Sequence, residues 1–240
     1  MRHTPPPIAY LLPNLFTAAS IFTGFYTIAL SLEGSFDTAA WFIFVALVFD
    51  GLDGRVARMT NTASHFGVEF DSLADIVAFG VAPALLLYLY VGESYGRIGI
   101  VVSALFIIFG AVRLARFNVT TSRIEPSVFI GLPIPTAAIM ISIAVLLLDR
   151  YQEFAVLKAA ILPFGVILSI LMVSNIRYPS FKKMNFKSFH FIRFLIALIA
   201  VGMGVFIYPI EALALLAAGY LVYGPLRASF YLQRTLLHRG

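Results

Sequence analysis

The sequence predicts an all-α integral membrane protein, a polytopic bundle of about eight transmembrane helices, on three observations. Of its 240 residues, 60% are hydrophobic and only 12% charged, whereas a soluble domain is near half apolar and a quarter charged. The apolar residues fall into repeated runs of about the 20 residues that cross a bilayer. The runs are separated by short polar breaks with turn chemistry, "EGSFD", "GESYG", "DRYQEF" and "YPIE". Lipid offers the backbone no hydrogen-bond partner, so spans must be helices.

Taken in order, the expected spans are 13–32, 38–58, 68–91, 96–116, 127–148, 155–174, 190–208 and 211–232. The second and third are interrupted by an acidic stretch. The eighth is weak around Tyr220–Arg227. The Pro-rich start "MRHTPPP" suits an interfacial segment over residues 1–12, ahead of one membrane domain at 13–232 and a cytoplasmic tail at 233–240. The first apolar run continues well past the small residues of "FTAAS", so it reads as a retained helix rather than a cleaved signal.

Orientation follows from the basic residues. With the N-terminus inside, every Lys and Arg except Arg97, Arg150 and Lys158 falls on the cytoplasmic side. The net charge of +5 therefore reads as contact with anionic lipid headgroups, about 1 kcal/mol per residue near the surface, and not with nucleic acid. Lys182, Lys183 and Lys187, interleaved with Phe181, Phe186 and Phe189, suit an interfacial segment of this kind. Absence of cysteine excludes disulfides, thiolate metal sites and thiol nucleophiles. The four histidines are scattered and no phosphate-binding glycine loop precedes a strand.

The chemistry is concentrated in "DGLDGRVARMTNTASHFGVEFDSLAD", Asp50 to Asp75. A charge inside the bilayer costs at least about 2.5–3.5 kcal/mol, so intramembrane acids mark function. Asp50 and Asp53 are three apart at the end of the second helix; Asp71 and Asp75 are four apart at the start of the third. Each pair shares a helical face, and a hairpin brings the four carboxylates together. Such a cluster needs cations, and oxygen-only ligands suit Mg²⁺, Mn²⁺ or Ca²⁺. Two ions sharing four aspartates make a phosphoryl-transfer centre. Gly54 and Ala57 lie on the Asp50 face, and Gly67 lies one turn before Asp71, leaving room for substrate. Arg58 adds a cation with bidentate phosphate geometry. Glu69 falls outside the shared face.

This stretch resembles the signature of the CDP-alcohol phosphotransferase family, D-x2-D-G-x2-A-R, eight residues, then G-x3-D-x3-D. Asp50, Asp53, Gly54, Ala57, Arg58, Gly67, Asp71 and Asp75 fill every fixed position. The resemblance implies a six-helix family core within the eight spans and a homodimer. It implies two divalent ions, Mg²⁺ or Mn²⁺, bridged by Asp50 and Asp71, with Asp53 on one and Asp75 on the other. Asp75 is also the implied base for the acceptor hydroxyl. Gly54, Ala57, Arg58, Ser64 and Gly67 match positions around the CDP group of the donor. "PNLFT" resembles a further family element and adds Asn14 and Thr17.

Three more islands, "RLARFN" (Arg113 to Asn118), "GLPIP" (Gly131 to Pro135) and "SNIRYPSFKK", resemble the type II phosphatidylserine synthase branch of this family. That implies CDP-diacylglycerol as donor, L-serine as acceptor, and a site facing the cytoplasm of a prokaryotic inner membrane. Serine carries a carboxylate, so Arg113, Arg116 and Asn118 are expected to bind it. Arg177 is a further candidate. Glycerol 3-phosphate and inositol phosphate are the rival acceptors, and both demand a more basic pocket. An ion or proton transporter is the rival of another class, but it should carry charge near the bilayer midplane.

Overall fold

The computed structural model describes residues 10–120, 128–179, 199 and 201–237. The lysine-rich segment at 182–187, the start of the expected seventh span at 190–198 and most of the N-terminal segment lie outside those residues. Among the described residues, five stretches are long and apolar enough to cross a membrane: Leu11–Leu32, His65–Tyr90, Arg97–Thr120, Val156–Val173 and Pro209–Arg227. The protein is an all-α polytopic membrane protein.

Helix α1 (Leu11–Leu32) buries hydroxyls rather than oil. Thr17, Ser20, Thr23, Thr27 and Ser31 all face inward. Three of them donate to carbonyls one turn back: Thr23 to Ala19 O at 3.0 Å, Thr27 to Thr23 O at 3.0 Å and Ser31 to Thr27 O at 2.7 Å. Satisfied this way, they let α1 lie close against Ala39, Ala40, Ile43 and Ala46 of α2 (Phe36–Met59). The outward face of α1 carries Leu15, Phe22 and Phe25, each more than half exposed, as suits a lipid-facing surface. Gly34, at φ +77°, provides the left-handed residue that turns α1 into α2.

The next rod runs from His65 to Tyr90 in three pieces. Helix α3 (His65–Asp75) is followed without a break by a π-helical segment, Ile76–Val81, and then by α4 (Ala82–Tyr90). Gly24 of α1 packs on the π segment. A Cβ at Gly24 would lie 2.8 Å from Ala78 Cα, a backbone atom that cannot swing aside. Gly24→Ala gains at most about 1 kcal/mol of helix propensity but incurs about 1–3 kcal/mol of overpacking. The variant should therefore melt below the parent in detergent. A higher melting temperature would show that the two helices can separate freely here.

A 3₁₀ turn (Gly92–Tyr95) leads to α5 (Arg97–Thr120). The expected fifth span, 127–148, needs correcting: α6 covers Ile134–Arg150, and Val128–Ile130 is instead a strand, β1. Gly131 at φ +78° and extended Pro133 end the strand and start the helix. β1 pairs antiparallel with β2 (Arg177–Pro179), with Phe129 opposite Tyr178. The expected sixth span at 155–174 is a 3₁₀ segment, Gln152–Ala160, running into α7 (Ile161–Val173). Residues 201–207 are helical. Helix α8 (Pro209–Leu237) is longer than the expected 211–232 and takes in part of the expected tail.

The core sits between α2, α4, α5, α6 and α7, around Phe79, Leu86, Phe106, Ile141 and Leu168. Gly110 lets Ile134 enter it, since a Cβ at Gly110 would lie 2.5 Å from Ile134 Cδ1. At the opposite end of the bundle from the acidic stretch, Tyr151 donates to Glu211 Oε1 and Arg150 Nε lies 3.4 Å from the same oxygen. This contact ties α8 to the end of α6.

Candidate active site

Local sequence explains the hairpin. Thr60 and Thr62 amides bond back to Val56 O and Ala57 O, both at 2.9 Å, closing α2. Asn61 takes φ +53° to reverse the chain, a conformation Asn tolerates better than most residues. Ser64 then caps α3, its Oγ accepting from Gly67 N at 3.0 Å. These contacts turn α3 back beside α2 and bring their acidic faces together.

One oxygen each of Asp50, Asp53 and Asp71 lie within 4.8 Å of one another. Asp53 is 5% exposed. Thr17 donates to its Oδ2 at 2.7 Å, and the Gly54 amide and Asp71 also lie within hydrogen-bonding reach of its carboxyl. Asp75, one turn further along α3, lies close enough to Asp50, Asp71 and Arg113 to feel their charges. Its Oδ1 is buried with no protein partner. Oxygens bound to one hard divalent ion at about 2.0–2.6 Å are at most roughly 5 Å apart. The spacing, the all-oxygen donor set and the orphaned Oδ1 therefore fit such a cation.

Beside the cluster, a cleft opens between α1, α2 and α3. Its walls include all seven residues expected around the donor: Asn14 and Thr17 from α1; Gly54, Ala57 and Arg58 from α2; and Ser64 and Gly67 from the start of α3. Asp53 and Asp71 line it as well, whereas Asp50 and Asp75 do not. A Cβ at Gly67 would lie 3.2 Å from Ser64 Oγ and 3.8 Å from Asn14 Oδ1, so glycine keeps this corner open. Pro13, Thr62, Ala63 and Val68 complete the lining and were not singled out by sequence reasoning. Thr62 is 3% exposed and its hydroxyl lies 2.7 Å from that of Thr60. Only its place in the spacer between the two acidic arms hinted at it.

The three residues expected at the acceptor do not point to one spot. Arg113 is 6% exposed, lies over the Phe117 ring at 5.2 Å and faces Asp75. Arg116 turns to the backbone at the end of α7. Asn118 donates to Ser72 Oγ at 2.9 Å, bracing α5 against α3 between Asp71 and Asp75. Arg177 belongs to β2 and is exposed.

The arrangement can hold a phosphate ester in the cleft, with a carboxylate cluster at one side and a further carboxylate beyond it. Residues 10–171 match the family model described as CDP-alcohol phosphatidyltransferase. The chain belongs to that family. It is similar to a CDP-diacylglycerol–serine O-phosphatidyltransferase of Helicobacter pylori, 50% identical over 232 residues and covering 96% of each chain. A protein of the same name from Bacillus subtilis is 36% identical over 173 residues, 72% of this chain and 92% of the relative. An archaetidylserine synthase from Methanothermobacter thermautotrophicus is 41% identical over 170 residues, 70% of this chain and 69% of the relative. As a member of this transferase family the chain is an enzyme, and the four aspartates lie within the matched region.

Proposed function

We propose that this enzyme transfers the phosphatidyl group of CDP-diacylglycerol to the hydroxyl of L-serine, releasing CMP. The observation that carries the reading is the meeting of Asp50, Asp53 and Asp71, of which Asp53 and Asp71 line a cleft walled by every residue expected around the donor. The name of the Helicobacter pylori relative, which matches nearly the whole chain, supports serine as acceptor.

In this reading the nucleotide and its diphosphate occupy the cleft. Asn14, Thr17 and Ser64 offer polar groups, Gly54 and Gly67 allow close approach, and Arg58 presents its guanidinium to phosphate oxygens. Asp50, Asp53, Asp71 and Asp75 would hold two divalent ions, Mg²⁺ or Mn²⁺, which when bound neutralise charge on the diphosphate. Asp75 takes the proton of the serine hydroxyl, whose oxygen forms a bond to the β-phosphorus. The bond from that phosphorus to the bridging oxygen breaks, and CMP leaves with the electron pair. Arg113, facing Asp75, receives the serine carboxylate. Serine from the cytoplasm and a lipid from the inner leaflet then meet at the membrane surface of a prokaryotic cell membrane, in a homodimer.

The test is direct. Purified protein in nanodiscs receives CDP-diacylglycerol, Mg²⁺ or Mn²⁺, and labelled serine, glycerol 3-phosphate or inositol phosphate in parallel. Phosphatidylserine and CMP should form in equal amounts, and chelation should stop both. Product with another alcohol but none with serine would reject the acceptor. No consumption of CDP-diacylglycerol with any of them would reject the reaction.

A further inference from the structure

Arg113 and Arg116 are one helical turn apart on α5, yet their surroundings differ. Arg116 Nη1 donates to Val173 O at 3.0 Å and to Asn175 Oδ1 at 3.4 Å. Its Nη2 donates to Ile130 O at 3.1 Å, Met172 O at 3.2 Å and Ser174 O at 3.1 Å. Two Nη groups carry four N–H bonds, and here they meet five acceptors. No fork remains at that end for a substrate carboxylate.

The acceptors belong to two places distant in sequence. Met172, Val173 and Ser174 supply the carbonyls that a helix C-terminus leaves without intrahelical partners, at the negative end of the α7 dipole. Ile130 ends β1. Backbone bonds close the same joint: Gly131 N to Ile176 O at 2.9 Å and Leu132 N to Leu171 O at 3.0 Å. Gly131 is wrapped so tightly that a Cβ would fall 2.2 Å from Met172 O and 2.7 Å from Arg116 Nη2. Arg113, by contrast, has a buried Nε with no protein partner. Asp75 and Arg116 both act on its charge, the first attracting and the second repelling it.

We propose that Arg116 is a positioning residue and not a substrate ligand: it locks the Gly131 turn and the β-ribbon onto the end of α7, and this joint holds Arg113 toward Asp75. The proposal rests on the function above and assigns the acceptor's carboxylate to Arg113. Lysine at position 116 keeps the charge but has no planar fork to reach several carbonyls. Gly131→Ala opens the same joint from the other side and leaves every charge in place, its methyl crowding Met172 O and Arg116 Nη2.

The experiment compares Arg116→Lys, Gly131→Ala, the double variant and Arg113→Lys in nanodiscs, with CDP-diacylglycerol, serine and Mg²⁺. Well below their melting temperatures, Arg116→Lys and Gly131→Ala should each lower kcat about tenfold to a hundredfold, with the KM for serine within about twofold. Amide exchange at residues 131, 132 and 174–177 should accelerate. The double variant should be no slower than the worse single one, because both open one joint. Arg113→Lys should instead raise the KM for serine about tenfold or more. A raised serine KM in Arg116→Lys, with normal kcat and unchanged exchange, would overturn the proposal in favour of a ligand role. A lower melting temperature with unchanged kcat in the folded protein would reduce Arg116 to scaffold alone, and also overturn it. Parent protein inactive with serine defeats the function instead, and amide exchange still reports on the joint.

Discussion

Asp53→Asn is expected to abolish turnover while making the metal-free protein harder to melt. Three carboxylate oxygens within 4.8 Å repel one another by roughly 3 kcal/mol per pair at an effective dielectric near 20, before protonation relieves part of it. Asparagine has nearly the same shape, and its Oδ1 can still accept the Thr17 hydroxyl that donates to Asp53 at 2.7 Å. Folding therefore keeps its contact and loses the repulsion. Melting without divalent ions should rise by a few degrees, the size of shift that about 1 kcal/mol gives in a chain of this length. Mg²⁺ should raise the melting temperature of the parent clearly and that of the variant much less, since only the parent gains binding free energy. Turnover should fall at least about a hundredfold, as expected when an ion loses a ligand. A metal-free variant that melts lower than the parent would mean that Asp53 is held by Arg58 as an ordinary ion pair, and that the cluster is not a cation site.

Asp75→Asn should separate binding from chemistry. Asp75 is absent from the walls of the cleft, which are built from α1, α2 and the first turns of α3. Replacing it leaves Asn14, Thr17, Arg58 and Ser64 where they are, so CDP should bind the variant with close to parental affinity. The transfer step loses the group that takes the acceptor's proton, a role that supplies about 10²–10⁴-fold in rate. Calorimetry with CDP and a single-turnover assay check the two halves separately. Parental turnover in the variant would remove Asp75 as the base. Loss of CDP binding would place it among the donor contacts instead.

The parts of this molecule legible in the sequence are those fixed by local spacing. Three- and four-residue offsets placed Asp50, Asp53, Asp71 and Asp75 on facing sides of a hairpin, and six of the eight signature positions, Asp53, Gly54, Ala57, Arg58, Gly67 and Asp71, line the cleft. Apolar run length located α1, α2 and α5 to within a few residues. What stayed hidden depends on partners distant in sequence. The run before α6 contains "SVFI", apolar enough to read as helix. It becomes a strand because residues 177–179 pair with it, and sequence pattern cannot show a pairing of two three-residue strands that far apart. Arg116 shows the same limit: its spacing from Arg113 and Asn118 suggested one pocket, whereas its Nη groups donate to carbonyls at the end of α7 and to Ile130 O, contacts that spacing alone does not reveal. Thr62 and Val68 line the cleft because the turn curls inward at Asn61, a backbone choice with only a weak local signal.

The π segment at Ile76–Val81 has a consequence for the whole rod from His65 to Tyr90. Each added residue in a helical turn advances the direction of every later side chain by about 100°. The rod thus behaves as two screws of different phase joined just beyond Asp75. Its watery end can keep the angular spacing its acids require, while its oily end meets neighbouring spans at an azimuth of its own.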